Sequence, residues 1–219
     1  MQLKTFAISA LSVAIIVGCV VLQPAEEKVA LVLTKAAAKS GPPKLISGAS
    51  GAMLANSCEG CHGSDGNSQG PAMPTIAGMS KNYMVEVMEE FRDDETKSTI
   101  MGRIAKGYTD DEIKAMAAYY AGIPFNGAGQ GGDAATIATG KKLQKKYCGT
   151  CHHDGGADAD DDSGILAGQW PTYLHYTLQD FANGDRAISQ KMKKKIAQLL
   201  AEEGQAGLDA IITYLSSQR

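Results

Sequence analysis

The sequence predicts an all-α protein made of two tandem copies of one small helical domain. Three observations carry that prediction. Apolar residues recur at i, i+3, i+4 and i+7, and no run alternates β-branched with polar residues. The chain also aligns with itself: Cys58 with Cys148, Ala77-Gly78 with Ala167-Gly168 and Phe91 with Phe181 at 90 residues, and Met101 with Met192 at 91. Two copies are too few for a solenoid, so the repeat is a duplicated domain. Finally, 219 residues at 44% hydrophobic and 21% charged suit two small globular domains, while 6% aromatics and one Trp leave each a thin core. A net charge of −3 offers no basic surface for nucleic acid.

Taken in order, residues 1–23 read as an export signal or a membrane or lipid anchor. Lys4 gives a short positive region, Phe6 to Leu22 is almost wholly apolar, and Gln23 to Lys28 turn polar. Such a run is long for a signal-peptide core and near the minimum for a membrane span. Three outcomes stay open: a cleaved signal, a lipoprotein acylated at Cys19 of the lipobox-like Ile16-Val17-Gly18-Cys19, or an uncleaved anchor. Acylation or an anchor ties the chain to a membrane. Residues 24–47 read as a tether.

The first domain is placed at 48–121. A helix over about 48–60 runs into Cys58, a Gly/Pro/Asp-rich loop follows, and a second helix covers about 79–92. A short segment carries Met101. The closing helix starts at a Thr109/Glu112 capping box and continues through Ile113, Met116, Ala117 and Tyr120. Residues 122–135, with five glycines, read as a flexible surface linker. Its formal G-x-G-x-x-G at Gly127, Gly129 and Gly132 has no preceding strand and no βαβ context, so it is not a nucleotide fingerprint. The second domain, 136–219, repeats the plan with helices over about 133–150 and 169–182, and a closing helix carrying Leu208, Ile211, Ile212 and Leu215. First and last helices of each copy are expected to pack together.

Each copy holds a C-x-x-C-H: Cys58-Glu59-Gly60-Cys61-His62 and Cys148-Gly149-Thr150-Cys151-His152. This is the attachment signature of c-type haem, with cysteines forming thioethers to the vinyl groups and the histidine binding the iron. A four-thiolate zinc site or dithiol chemistry also uses C-x-x-C pairs. The histidine after each pair, the separation of the pairs into two copies and the missing βαβ pattern oppose both. No cysteine is left for a disulfide framework in the folded body.

Methionine is the expected opposing ligand. Met101 and Met192 occupy equivalent positions, 39 and 40 residues after their histidines, before a basic stretch and the closing helix. Met73 competes for the first haem, but its counterpart is Ser163. Met84, Met88 and Met116 read as core, His153 as surface and His175 as packing. With both axial positions filled, each iron exchanges single electrons and binds no substrate. Asp158, Asp160, Asp161 and Asp162 read as a solvated loop, or more weakly as a docking patch for a basic partner. Lys191, Lys193, Lys194 and Lys195 read as a solvated face beside Met192, or as a steering patch. Pro71, Pro74 and Ile165-Leu166 are expected to line the crevice and keep water from the iron.

With these residues placed, the chain resembles the tandem diheme cytochromes c, and among them the cytochrome subunits of flavocytochrome c sulfide dehydrogenases. The resemblance covers about residues 50–217. It is carried by Asn56-Ser-Cys-Glu-Gly-Cys-His-Gly63, Gly66-Asn-Ser-Gln-Gly-Pro71, Ser98-Thr-Ile-Met-Gly-Arg-Ile-Ala-Lys-Gly-Tyr108, Lys146-Tyr-Cys-Gly-Thr-Cys-His152, Ile165-Leu-Ala-Gly-Gln-Trp170 and Glu203-Gly-Gln-Ala-Gly-Leu-Asp-Ala210. It implies two class I cytochrome c domains, each wrapped around a covalent haem. Cys58 and Cys61 would attach the first haem, with His62 and Met101 on its iron. Cys148 and Cys151 would attach the second, with His152 and Met192 on its iron. It also implies a non-catalytic periplasmic subunit that takes electrons from a separate FAD-bearing, sulfide-oxidising subunit and passes them to a soluble acceptor such as a small cytochrome c. A free-standing diheme shuttle is the alternative. A diheme peroxidase would need a displaceable axial ligand, which the paired methionines oppose.

Overall fold

Seven helices form among the described residues, 48–161 and 163–219 of a computed structural model, and no strand forms among them. The first half holds α1 (Gly51–His62), α2 (Lys81–Arg92), α3 (Met101–Ala105) and α4 (Asp110–Ala121). The second holds α5 (Ala134–Leu143), α6 (Pro171–Asn183) and α7 (Gln190–Ser216). The described residues lie within one compact unit. The export segment, Cys19 and most of the tether lie outside the described residues.

Local chemistry sets the helix starts. Ser50, Ser80 and Asp133 cap α1, α2 and α5 through their side-chain oxygens. The Thr109–Glu112 capping box is formed in both directions. Pro171 opens α6, and Gly184 ends it at φ 77°.

The two halves repeat one crossing. At Gly51 of α1 a Cβ would strike the carbonyl oxygen of Ala115 in α4; at Gly140 of α5 it would strike that of Ala210 in α7. Glycine is required at both places because the helix backbones touch. Each crossing anchors its own core. Leu54, Ala55, Met84, Met88, Ile113, Met116 and Tyr120 fill the first, and Leu143, Tyr147, Leu174, Leu199, Ile211 and Leu215 fill the second. Met84, Met88 and Met116 are therefore core residues, as their spacing indicated.

Two differences between the copies have local causes. Gly51 precedes Cys58 by seven residues, but Gly140 precedes Cys148 by eight. The surplus residue is absorbed by a π-helical turn, Gln144–Cys148, in which the Gly149 N–H reaches the Gln144 carbonyl at 2.8 Å. The Met-bearing segment and the closing helix, separate in the first half, are joined in the second as α7. Gly204, at φ 67° and ψ −168°, breaks α7 at the position equivalent to the Thr109 cap.

The glycine-rich linker is not the free chain that its composition suggests. The Ala128 N–H donates to the Gly168 carbonyl and the Gln130 N–H to the Ser216 carbonyl, each at 2.8 Å. Asn67 holds Pro124 and Asn126 from the first half, accepting from the Asn126 N–H at 2.8 Å. Glycine here allows close backbone approach: Gly127 and Gly168 pack with no room for a side chain between them.

A polar seam joins the halves. Lys97 pairs with Asp185 at 2.6 Å, and the Trp170 indole lies on Gly70 and donates to the Ser68 carbonyl at 3.2 Å. Asp161 accepts from Ser80 and Asn82 at the start of α2, so this member of the acidic run docks on a helix N-terminus rather than only facing water. Those two hydrogen bonds also hold its carboxyl below the usual range.

Candidate functional site

Each C-x-x-C-H occupies the end of the helix that makes the crossing. In the first half Cys58, Cys61 and His62 share the last turn of α1, and spacings of three and four residues bring them to one face. In the second half Cys148 ends the π-helical turn, and one further turn brings the His152 N–H to the Cys148 carbonyl at 2.9 Å. Cys58 and Cys148 are half-buried, and Cys61 and Cys151 are exposed. Burial pushes the Cys148 thiol up to about 11.

His62 is 8% exposed. Its Nδ1 lies 2.8 Å from the Pro74 carbonyl. A carbonyl only accepts, so Nδ1 carries the proton and Nε2 keeps its lone pair for a metal. Burial lowers the imidazole's pKa, against the opposing effect of the Pro74 bond, which favours the neutral ring a ligand needs. His152 is likewise lowered by burial, with His153 adding to the effect. Its surroundings differ, however. Gly164 stands where the first half has Pro74, and no hydrogen bond to the His152 ring forms among the described residues. A cavity of about 700 Å³ adjoins this histidine, lined in part by Gln144, Lys145, Tyr214 and Arg219.

Met101 and Met192 share a local device that sequence spacing alone did not expose. Each follows a serine by three residues, and that serine caps the turn carrying it. Ser98 Oγ accepts from the Gly102 N–H at 2.7 Å, and Ser189 Oγ accepts from the Met192 N–H at 3.2 Å. Both methionines are half-buried. Ile100, beside Met101, is 50% exposed and presents an apolar surface. The four lysines around Met192 are exposed, matching their solvated-face reading.

A second tether fixes each attachment helix. The residue before the first cysteine bonds to the segment just ahead of the closing helix: Ser57 to Tyr108 at 2.5 Å, and Tyr147 to Glu202 and Glu203 at 2.6 and 3.0 Å. The tyrosine changes sides between the copies while the contact persists. Lys146 joins the second cluster at 2.9 and 3.2 Å. Hydrogen bonds from Tyr147, Gln198 and Lys146 bring the Glu202 carboxyl down to about 2.

Paired thiols ending a helix, a following histidine held in its Nδ1–H form and a downstream thioether suit covalent haem with histidine and methionine on the iron. Comparison with known proteins agrees with this chemistry. Residues 49–122 match the Cytochrome c family. The chain is 41% identical over 80 residues to the cytochrome subunit of sulfide dehydrogenase from Chlorobaculum tepidum, covering 36% of this chain and 72% of that protein. The chain belongs to the cytochrome c family. It is also 29% identical over 178 residues to cytochrome c4 from Pseudomonas aeruginosa, covering 76% of this chain and 88% of that protein. The crystal structure of reduced recombinant cytochrome c4 from Pseudomonas stutzeri superimposes with a TM-score of 0.67 at 22% identity, covering 77% of this chain and 97% of that one. That likeness shows the fold: two class I cytochrome c domains in tandem. By these relatives the chain is an electron-transfer cytochrome c.

Sequence reasoning did not find the seam residues Gln169 and Trp170 as contributors to a site. One signal pointed to them: Gln169 stands opposite Met79 in the repeat, a polar residue where the other copy is apolar.

Proposed function

We propose that this chain is the electron-transfer subunit of a sulfide-oxidising flavocytochrome, taking electrons from an FAD-bearing subunit and passing them to a soluble acceptor in the periplasm. The identity of 41% with a sulfide dehydrogenase cytochrome subunit carries this reading. Cys58 and Cys61 would hold the first haem, with His62 and Met101 on its iron. Cys148 and Cys151 would hold the second, with His152 and Met192. When bound, the haem iron supplies one-electron exchange without bond making. The protein's own contribution is positional. The helix crossings fix the cysteine pairs, the Pro74 carbonyl orients His62, and the serine-capped turns present the methionines. With a histidine and a methionine on each iron, no position would be left for substrate.

A second reading, a free-standing shuttle to an oxidase or another redox partner, is favoured by the wider similarity to cytochrome c4, 178 residues against 80. Purification of the native exported protein separates the two. Two haem masses on the polypeptide and a co-purifying FAD subunit are expected. A diheme chain that captures no flavoprotein identifies the shuttle, and a chain without haem mass overturns both.

A further inference from the structure

We propose that Gln169 of the second half is a positioning residue for the axial histidine of the first, so that the seam between the halves sets the reduction potential of the first haem. This rests on the assignment of His62 as an axial ligand. The Gln169 amide closes two hydrogen bonds on Thr75: Oε1 accepts from the Thr75 N–H at 3.0 Å, and Nε2 donates to the Thr75 carbonyl at 2.7 Å. The Thr75 N–H and the Pro74 carbonyl belong to one planar peptide group. That same carbonyl accepts from His62 Nδ1 at 2.8 Å. A single hydrogen-bonded chain therefore runs from the Gln169 amide, through one peptide plane, to the His62 ring. Thr75 is 1% exposed and Gln169 3%, so water does not replace either bond.

The electronic consequence has a definite sign. A hydrogen bond accepted from a peptide N–H polarises the peptide and strengthens the bond its carbonyl accepts. A stronger bond at Nδ1 makes the imidazole a better donor to iron and stabilises the ferric state. Gln169 accordingly lowers the potential of the first haem. The second haem has no such device: Met79 stands at the position of Gln169 and Gly164 at that of Pro74. The two irons thus receive unequal support from a duplicated scaffold, and a partner that strains the seam acts selectively on the first.

The test uses the full haem-loaded chain with Gln169→Met, which places in the second half the residue that the first half carries. A redox titration resolves the two haems by NMR of their axial methionine methyls. The reduction equilibrium of the first haem should shift toward ferrous by about three- to tenfold, where tenfold is ~59 mV for one electron. The second should not move. The proton signal of His62 Nδ1–H should shift upfield as its bond weakens. Trp170→Phe removes a different seam bond, the one the indole donates to the Ser68 carbonyl, and should leave the first potential unchanged. Should Gln169→Met not fold, Gln169→Leu makes the same test. An unmoved first potential in a folded variant carrying both haems overturns the relay, as does an equal shift in Trp170→Phe, which would trace the effect to seam packing. Peptides of Cys58 and Cys61 lacking haem mass would instead overturn the underlying assignment.

Discussion

Gly140→Ala puts the helix crossing of the second half to the test. Gly140 is inside α5, where alanine is ordinarily preferred by about 1 kcal/mol. Here the new Cβ would sit 2.6 Å from the Ala210 carbonyl carbon and 2.8 Å from Tyr214 Cβ. Carbon atoms pack at about 3.5–4.0 Å, so α5 and α7 must separate by about 1 Å. Overpacking of this sort costs about 1–3 kcal/mol, and both obstacles are fixed atoms rather than flexible side-chain ends, which favours the upper part of that range. After the gain in helix propensity, the net loss is about 1–2 kcal/mol. Urea unfolding of the haem-loaded chain, followed by far-UV circular dichroism, should show a lowered midpoint at unchanged slope. A variant as stable as the parent would refute the idea that backbone contact demands glycine there.

Three further outcomes follow from the site and the seam. Met192→Ala should open a coordination position on the second iron, so that the ferrous variant binds carbon monoxide and its visible spectrum shifts; unchanged spectra under carbon monoxide would remove Met192 as the ligand. Glu202, lowered from 4.5 to about 2, contributes stability that is fully present above pH 4.5 and lost as pH falls through 2. Glu202→Gln should therefore flatten the acid side of a urea-midpoint profile recorded between pH 5 and pH 2, and parallel profiles would contradict that. At the seam, Trp170→Ala should destabilise by about 2–3 kcal/mol through lost packing. Lys97→Ala, whose partner pair is 76% and 38% exposed, should cost no more than about 1 kcal/mol. Thermal unfolding of the two variants should show that ranking, and the reverse order would mean that charge rather than packing holds the halves together.

Much of this architecture was legible from residue spacing because it rests on local rules. The capping box at Thr109, the apolar periodicity after it and the proline opening α6 are decided by neighbouring residues, and the helices start and stop within a few residues of their expected limits. The C-x-x-C-H runs were equally legible, since one helical turn suffices to gather their groups. What escaped depends on distant chain. The linker's composition signals freedom, yet its backbone N–H groups find the carbonyls of Gly168 and Ser216 some forty and eighty-six residues away. Gln169 finds Thr75 across 94 residues, a pairing that periodicity cannot anticipate. Fusion of the last two helical segments into α7 was missed because a single glycine marks the break where the first copy spends four residues on a separate turn.

The eight-residue spacing from Gly140 to Cys148 separates two demands that the first copy leaves entangled. Backbone contact fixes one end of that stretch, and the C-x-x-C-H would fix the other on attachment. Between them the chain has slack, taken up as a widened helical loop without moving either end. In this chain an added residue is therefore admissible between the crossing and Cys148. Within the five residues from Cys148 to His152 it is not, because an added residue there would turn the imidazole by about 100° relative to the cysteines.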